Sequence, residues 1–78
     1  MPTVLRWGPY RAFFYSADGS EPAHVHVRNG DMEAKIWLHD LTLAVNLGFR
    51  PHEIGTIIRQ LRMRQAELMD AWNEHFGN

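Results

Sequence analysis

The stretch His24–Leu38 reads HVHVRNGDMEAKIWL, and it carries the strongest fold signal in the 78-residue sequence. Apolar and polar residues alternate on both sides of Asn29-Gly30, a pattern typical of two antiparallel strands joined by a tight turn. It predicts strands over His24–Arg28 and Met32–Leu38, with one apolar and one polar face. The apolar face should pack on a helix, and the polar face should look outward.

The turn has two placements that fit the pattern. A turn at Asn29-Gly30 pairs His26 with Glu33, whereas a turn at Gly30-Asp31 pairs His26 with Lys35. Both placements leave the same side chains on the same face, because each pairs even-numbered residues of the first strand with odd-numbered residues of the second. In either case the polar face gathers five functional side chains: His24, His26, Arg28, Glu33 and Lys35.

The rest of the chain predicts a hairpin before this segment and helices after it. Thr3–Trp7 and Tyr10–Ser16 have strand patterns around a Gly-Pro turn. Asp40 can cap a short helix over Leu41–Leu47, and the helical spacing of apolar residues predicts a long helix over Pro51–Phe76. The expected fold is α+β, a single domain over residues 1–78 in which two hairpins (3–38) pack on one short and one long helix (41–76).

The long helix would measure about 39 Å at a rise of about 1.5 Å per residue. That length exceeds the width of so small a domain. The sequence therefore predicts either a break near Arg64-Gln65, where the apolar stripe carries a glutamine, or an overhanging end that packs on a second copy. The second outcome would give a homodimer through the C-terminal helix.

Composition excludes several classes of protein. The net charge of -1 argues against a generic nucleic-acid binder, which usually has a clear basic excess. The absence of cysteine excludes disulfides and fits a reducing compartment. No apolar run reaches the roughly 20 residues of a membrane span, and the first residues lack a signal-peptide pattern. We expect a cytoplasmic protein that does not associate with membranes.

The polar face has three interpretations. It is the solvated side of a half-buried sheet, or an acid–base site, or a metal site. In an acid–base site, His24 and His26 would act as general acid and base, Arg28 and Lys35 would bind phosphate, and Glu33 would orient an imidazole. That arrangement suits metal-independent RNA cleavage, in which the 2′-hydroxyl is the nucleophile.

In the metal interpretation, His24, His26 and Glu33 would be the ligands. A structural zinc site uses four ligands and a catalytic site three. Arg28 and Lys35 would repel a cation on the same face, so the sequence predicts no metal and no other cofactor.

Six segments also carry a family resemblance: Val4–Arg6, Phe13–Ser16, His24–Arg28, Glu33–Leu38, Gly48-Phe49 and Ala71–Phe76. Together they resemble the short bacterial proteins grouped as domain of unknown function family 4160, and the resemblance spans essentially the whole chain. Family members often lie beside a gene for a second small protein, of domain of unknown function family 2442. These pairs have been suggested to be toxin–antitoxin modules.

The resemblance implies that this chain is the toxin-like member, with a small antitoxin-like protein as partner. Combined with the polar face, it predicts a toxin-like protein that cleaves RNA. The alternative is a non-catalytic module that binds a partner protein, or a second copy of itself, through the sheet face or the helix.

Overall fold

Strand-forming segments within residues 3–47 form one antiparallel sheet, and helical periodicity over residues 51–76 forms two helices against it. The computed structural model describes residues 3–77. Its elements are β1 (Thr3–Trp7), β2 (Tyr10–Phe13), a short 3-10 helix (Asp18–Ser20), β3 (His24–Asn29), β4 (Met32–Trp37), β5 (Leu43–Leu47), α1 (Pro51–Met63) and α2 (Gln65–Phe76). The five strands lie in the order β1-β2-β3-β4-β5. The predicted α+β class is confirmed.

The β3–β4 hairpin turns at Gly30-Asp31, the second of the two predicted placements. His26 pairs with Lys35 and Arg28 pairs with Glu33. Gly30 has φ +60°, a value that glycine adopts readily and that suits the first central position of a tight hairpin turn. The face assignment predicted from parity therefore holds.

β2 is an inner strand that is buried on both sides. Ala12, Phe13 and Phe14 are fully buried, with Phe14 in the core beneath the helices and Phe13 stacked on His26 across the other face. The predicted strand over Tyr10–Ser16 ends at Phe13, and the chain then leaves the sheet. The connection that follows reaches β3 by way of the 3-10 helix.

The short helix predicted over Leu41–Leu47 is wrong, because this segment forms β5, which pairs with β4. Asp40 Oδ1 accepts hydrogen bonds from the backbone amide and the hydroxyl of Thr42. Leu41 adopts φ +58°, which is outside the right-handed helical region. Asp40 therefore caps a turn rather than a helix, and the turn directs the chain back along β4.

The long helix breaks at Arg64, which confirms the break among the two predicted outcomes. Arg64 has φ -123° and ψ 17°, and α2 begins at the next residue. The Gln65 side chain donates hydrogen bonds to the carbonyl oxygens of Leu38 and His39, at 2.7 and 3.2 Å. The glutamine within the apolar stripe thus fixes the bend to the end of β4. With no overhang, the predicted reason for a homodimer through this helix disappears.

The core lies between the helices and one face of the sheet. Its helical side chains are Ile54, Ile57, Leu61, Leu68 and Trp72. Its strand side chains are Ala12, Val25, Val27, Ala34 and Ile36. The opposite face carries the candidate functional residues.

Candidate functional site

Strand parity places the predicted site residues together on the sheet face away from the helices. We call this the histidine face and define it by His24, His26, Arg28, Glu33 and Lys35. Across the sheet, the pairings bring Phe13, His26, Lys35 and Val45 into one row.

The outward orientation predicted for this face is wrong at both histidines. His24 has no exposed surface and His26 is 8% exposed. His24 packs among the rings of Trp37 and Trp72, and His26 packs between those of Phe13 and Tyr15. The connection between β2 and β3 folds back over His26, and Trp72 of α2 packs on His24.

Asp18 is the carboxylate that this connection brings to the histidines. Its Oδ2 accepts hydrogen bonds from the Tyr15 amide at 2.8 Å and from His26 Nε2 at 3.1 Å. His24 Nε2 lies 3.2 Å from the same oxygen, without the alignment of a hydrogen bond. We call Asp18, His24 and His26 the Asp18 cluster; one ligand atom from each lies within 4.8 Å of the others.

Local backbone contacts hold Asp18 in place. Its amide donates to Tyr15 O at 3.1 Å, and its carbonyl accepts from the Glu21 amide at 3.0 Å. Burial alone raises the pKa of Asp18, but the Tyr15 amide and the two imidazoles outweigh this effect and lower the pKa below its usual value. Asp18 is therefore a charged carboxylate inside the protein.

His26 experiences opposing influences. Burial lowers its pKa, the charge of Asp18 raises it, and the net direction is downward. A His26 that is neutral near pH 7 fits the stacked contact with Phe13.

Glu33 lies near His26, as predicted for a residue that orients an imidazole. Its Oε2 is 3.5 Å from His26 Nδ1, and its carboxylate accepts a hydrogen bond from the Tyr15 hydroxyl at 3.1 Å. Burial and this hydrogen bond raise the pKa of Tyr15. Tyr15 thus contacts both Asp18, through its amide, and Glu33, through its hydroxyl.

Arg28 and Lys35, the predicted phosphate-binding residues, are each paired with a carboxylate. The Arg28 side chain is 45% exposed, donates to Gly30 O, and lies 3.9 Å from Glu33. Lys35 binds Glu21 and sits over the ring of Trp37, 4.7 Å from its centroid. A phosphate bound to Arg28 or Lys35 would compete with the carboxylate that each contacts, Glu33 or Glu21.

Asp18 and Tyr15 were absent from the predicted site. The available signal was a carboxylate in the loop directly before the His-x-His strand. A loop has no periodic pattern from which the orientation of its side chains can be predicted, so the sequence alone did not place Asp18 on the histidine face. His39, His52 and His75 lie outside the Asp18 cluster.

Beside the cluster, the edge of the sheet exposes apolar side chains. Leu43, Val45 and Leu47 of β5 are 40%, 44% and 60% exposed. Val45 and Leu47 also line a small cavity of about 100 Å³, together with His26, Glu33, Ala34 and Lys35. Within residues 3–77, no helix has the length and apolar character needed to cross a bilayer.

A model of the family described as Domain of unknown function (DUF4160) matches residues 10–73. Searches of curated proteins and of solved structures find no significant match. The matched range includes the whole Asp18 cluster and β5.

Proposed function

The chain belongs to the Domain of unknown function (DUF4160) family, and because that description names no activity, we propose a function from its surface: a protein-binding module that pairs through β5. The occupant we propose for this edge is β5 of a second copy. The observation that carries the proposal is the exposed apolar stripe of Leu43, Val45 and Leu47 on the terminal strand of the sheet.

The backbone of β5 is suited to accept another strand. β5 pairs with β4 on one side, and no described strand lies on its other side. A free edge presents unpaired N–H and C=O groups, and proteins usually protect such edges with charges or proline. The sequence LAVNL over Leu43–Leu47 has neither, and its one irregularity is a bulge near its start.

The side chains of β5 are complementary to themselves. In an antiparallel pair of two copies centred on Val45, Leu43 faces Leu47 of the second copy and Ala44 faces its Asn46. The three exposed apolar side chains of β5, Leu43, Val45 and Leu47, therefore each meet an apolar side chain across the two-fold axis.

The charges near β5 do not oppose this pairing. Lys35 neighbours Val45 in the sheet, so the two Lys35 residues would lie three strand spacings apart, about 14 Å. That distance exceeds the Debye length of about 8 Å at physiological salt. Each Lys35 is also paired with Glu21.

The oligomeric state in solution tests the proposal. Sedimentation of the wild-type protein, measured at protein concentrations from about 1 to 200 µM, should show a monomer–dimer equilibrium. Val45→Lys should shift it to monomer without changing the circular dichroism spectrum. Met63→Lys is the matched control, since Met63 is 76% exposed on α1, and this variant should dimerise normally. A monomeric wild type, or a Val45→Lys protein that dimerises like the wild type, would overturn the proposal.

A second candidate is the toxin-like, RNA-cleaving role, with a small antitoxin-like protein as partner. It is favoured by the cavity where His26 meets Glu33 and Lys35, with Arg28 exposed nearby. Full burial of His24 leaves His26 as the histidine nearer to solvent. In this role His26 would transfer the proton while Arg28 and Lys35 hold the phosphodiester.

Substitution of His26 tests this candidate. His26→Gln should reduce RNA cleavage and growth inhibition by about 100-fold or more, the usual contribution of a general acid or base. His52→Gln, which removes an exposed histidine on α1, should retain both activities. A folded His26→Gln protein that cleaves RNA and inhibits growth as strongly as the wild type would rule out the acid–base role of His26.

A further inference from the structure

We propose that the Asp18 cluster is a binding site for a divalent first-row transition-metal ion, such as Zn²⁺. Two imidazole nitrogens and one carboxylate oxygen form the donor set that such ions use at sites with three protein ligands. This inference is independent of pairing through β5.

The separations of the donor atoms fit a shared ion. Asp18 Oδ2 lies 3.2 Å from His24 Nε2 and 3.1 Å from His26 Nε2. Ligands bound tetrahedrally at about 2.0–2.1 Å lie about 3.3 Å from one another. The two separations from Asp18 match this value, and all three donor atoms lie within 4.8 Å of one another.

The orientation of His24 is the strongest argument. Its Nδ1 lies 2.9 Å from Pro22 O, and because a carbonyl oxygen only accepts, Nδ1 carries the proton. In a neutral imidazole, Nε2 then presents a lone pair. That lone pair is fully buried, 3.2 Å from an anionic oxygen. Two acceptors facing each other inside a protein need a positive charge between them, which either a second proton on the imidazole or a bound metal ion supplies.

A bound ion also explains why the contact between His24 Nε2 and Asp18 Oδ2 lacks the alignment of a hydrogen bond. An ion bound to His24 Nε2 lies on the axis of the lone pair, so a second ligand of the same ion must stand to the side of that axis. Asp18 Oδ2 is within hydrogen-bonding distance but fails the alignment of a hydrogen bond, and His24 Nε2 has no other partner among residues 3–77.

The neighbouring groups support metal-bound histidines. Histidines that bind a metal usually donate their other N–H to a carbonyl or a carboxylate, which fixes the ring. His24 has Pro22 O in this position, and His26 has Glu33 Oε2, 3.5 Å from its Nδ1. When His26 Nε2 binds the ion, the imidazole proton moves to Nδ1. Nδ1 then donates a hydrogen bond to Glu33 Oε2.

Electrostatic repulsion does not exclude the site. The sequence predicted that Arg28 and Lys35 would repel a cation, but each is paired with a carboxylate, Glu33 and Glu21 respectively. Asp18 supplies one full negative charge directly to the ion. Asp18 replaces Glu33 as the carboxylate ligand of the earlier metal interpretation, with Glu33 behind His26.

Metal titration of the whole chain tests the site. Protein stripped with a chelator should bind one Zn²⁺ per chain, measured by calorimetry and native mass spectrometry. His24→Gln and Asp18→Asn should weaken binding by more than about 100-fold, since even loss of an outer-shell partner costs about 10- to 100-fold. His39→Gln and His52→Gln, which remove exposed histidines, should bind normally.

X-ray absorption of the zinc-loaded wild type gives a readout that does not depend on the folding of any variant. It should show two imidazole nitrogens and a carboxylate oxygen around the ion. Failure of the wild type to bind Zn²⁺ at micromolar concentration would overturn the proposal and indicate that a doubly protonated His24 supplies the cation. Loss of binding in His39→Gln or His52→Gln would also overturn it, by showing adventitious surface binding.

Discussion

Single side chains decide where this chain turns and what its histidines meet. Asp18 is held by hydrogen bonds with the backbone of Tyr15 and Glu21, in addition to its contacts with the two imidazoles. Asp40 acts in the same way at the start of β5, where its carboxylate binds the amide and hydroxyl of Thr42. Both residues look like ordinary loop carboxylates in the sequence, and both have partners only a few positions away.

Asp40 should give the protein a component of acid sensitivity. The hydroxyl and the amide of Thr42 lower the pKa of Asp40, so the folded state holds its proton less tightly than the unfolded state. Asp40 therefore contributes stability at pH above the unfolded value near 4, and this contribution is lost as the pH falls through the folded value.

Urea unfolding of Asp40→Asn measures this effect, because asparagine keeps the acceptor oxygen without the charge. The wild type should be more stable than Asp40→Asn at pH 7, and the difference should shrink as the pH falls below the unfolded pKa near 4 and disappear once the pH is below the lower folded pKa. Asp31→Asn, at an exposed carboxylate in the hairpin turn, provides the control. A difference that is independent of pH would contradict the role assigned to the Asp40 charge.

At the scale of elements, one polar residue separates what periodicity predicts as a single helix. The apolar positions of α1 and α2 follow one helical spacing, and the chain bends at Arg64. Gln65 donates to two carbonyl groups at the end of β4. The bend thus depends on a contact between residues 26 and 27 positions apart, which helical periodicity does not represent.

Replacing Gln65 should be costly even though leucine would complete the apolar stripe. Gln65→Leu leaves the carbonyls of Leu38 and His39 without this donor, and we expect a loss of about 1–3 kcal/mol in the free energy of unfolding. Gln60→Leu, a matched change on α1, should stay within about 0.5 kcal/mol of the wild type. Urea unfolding compares the two. A Gln65→Leu protein as stable as the wild type would show that the bend has another cause.

At the scale of the whole molecule, the core face of the sheet and the part of the histidine face around His24 and His26 are covered by different means. The helices cover one face with a continuous apolar core. The connection between β2 and β3 covers the other with Tyr15 and Asp18. This connection is itself packed on α2, since a Cβ on Gly19 would lie 2.7 Å from the Phe76 ring. The burial of the histidines therefore depends on contacts between this connection and α2.

Alternation over His24–Leu38 determined by itself which side chains share a face, because the strand period of two is local and survives a shift of the turn. Helical spacing likewise determined the second half of the chain, and the glutamine in its stripe marked the break. Short apolar runs do not determine their secondary structure in this way, because a segment as short as Leu41–Leu47 can form either a strand or a helix. There, pairing with β4 decided the outcome.

Only the tertiary structure decided that the histidine face is closed and that Asp18 joins it. A loop has no period, so its path depends on long-range contacts such as that between Gly19 and Phe76. The sequence set the two imidazoles side by side. Folding of the β2–β3 connection then removed them from water and gave them a shared carboxylate.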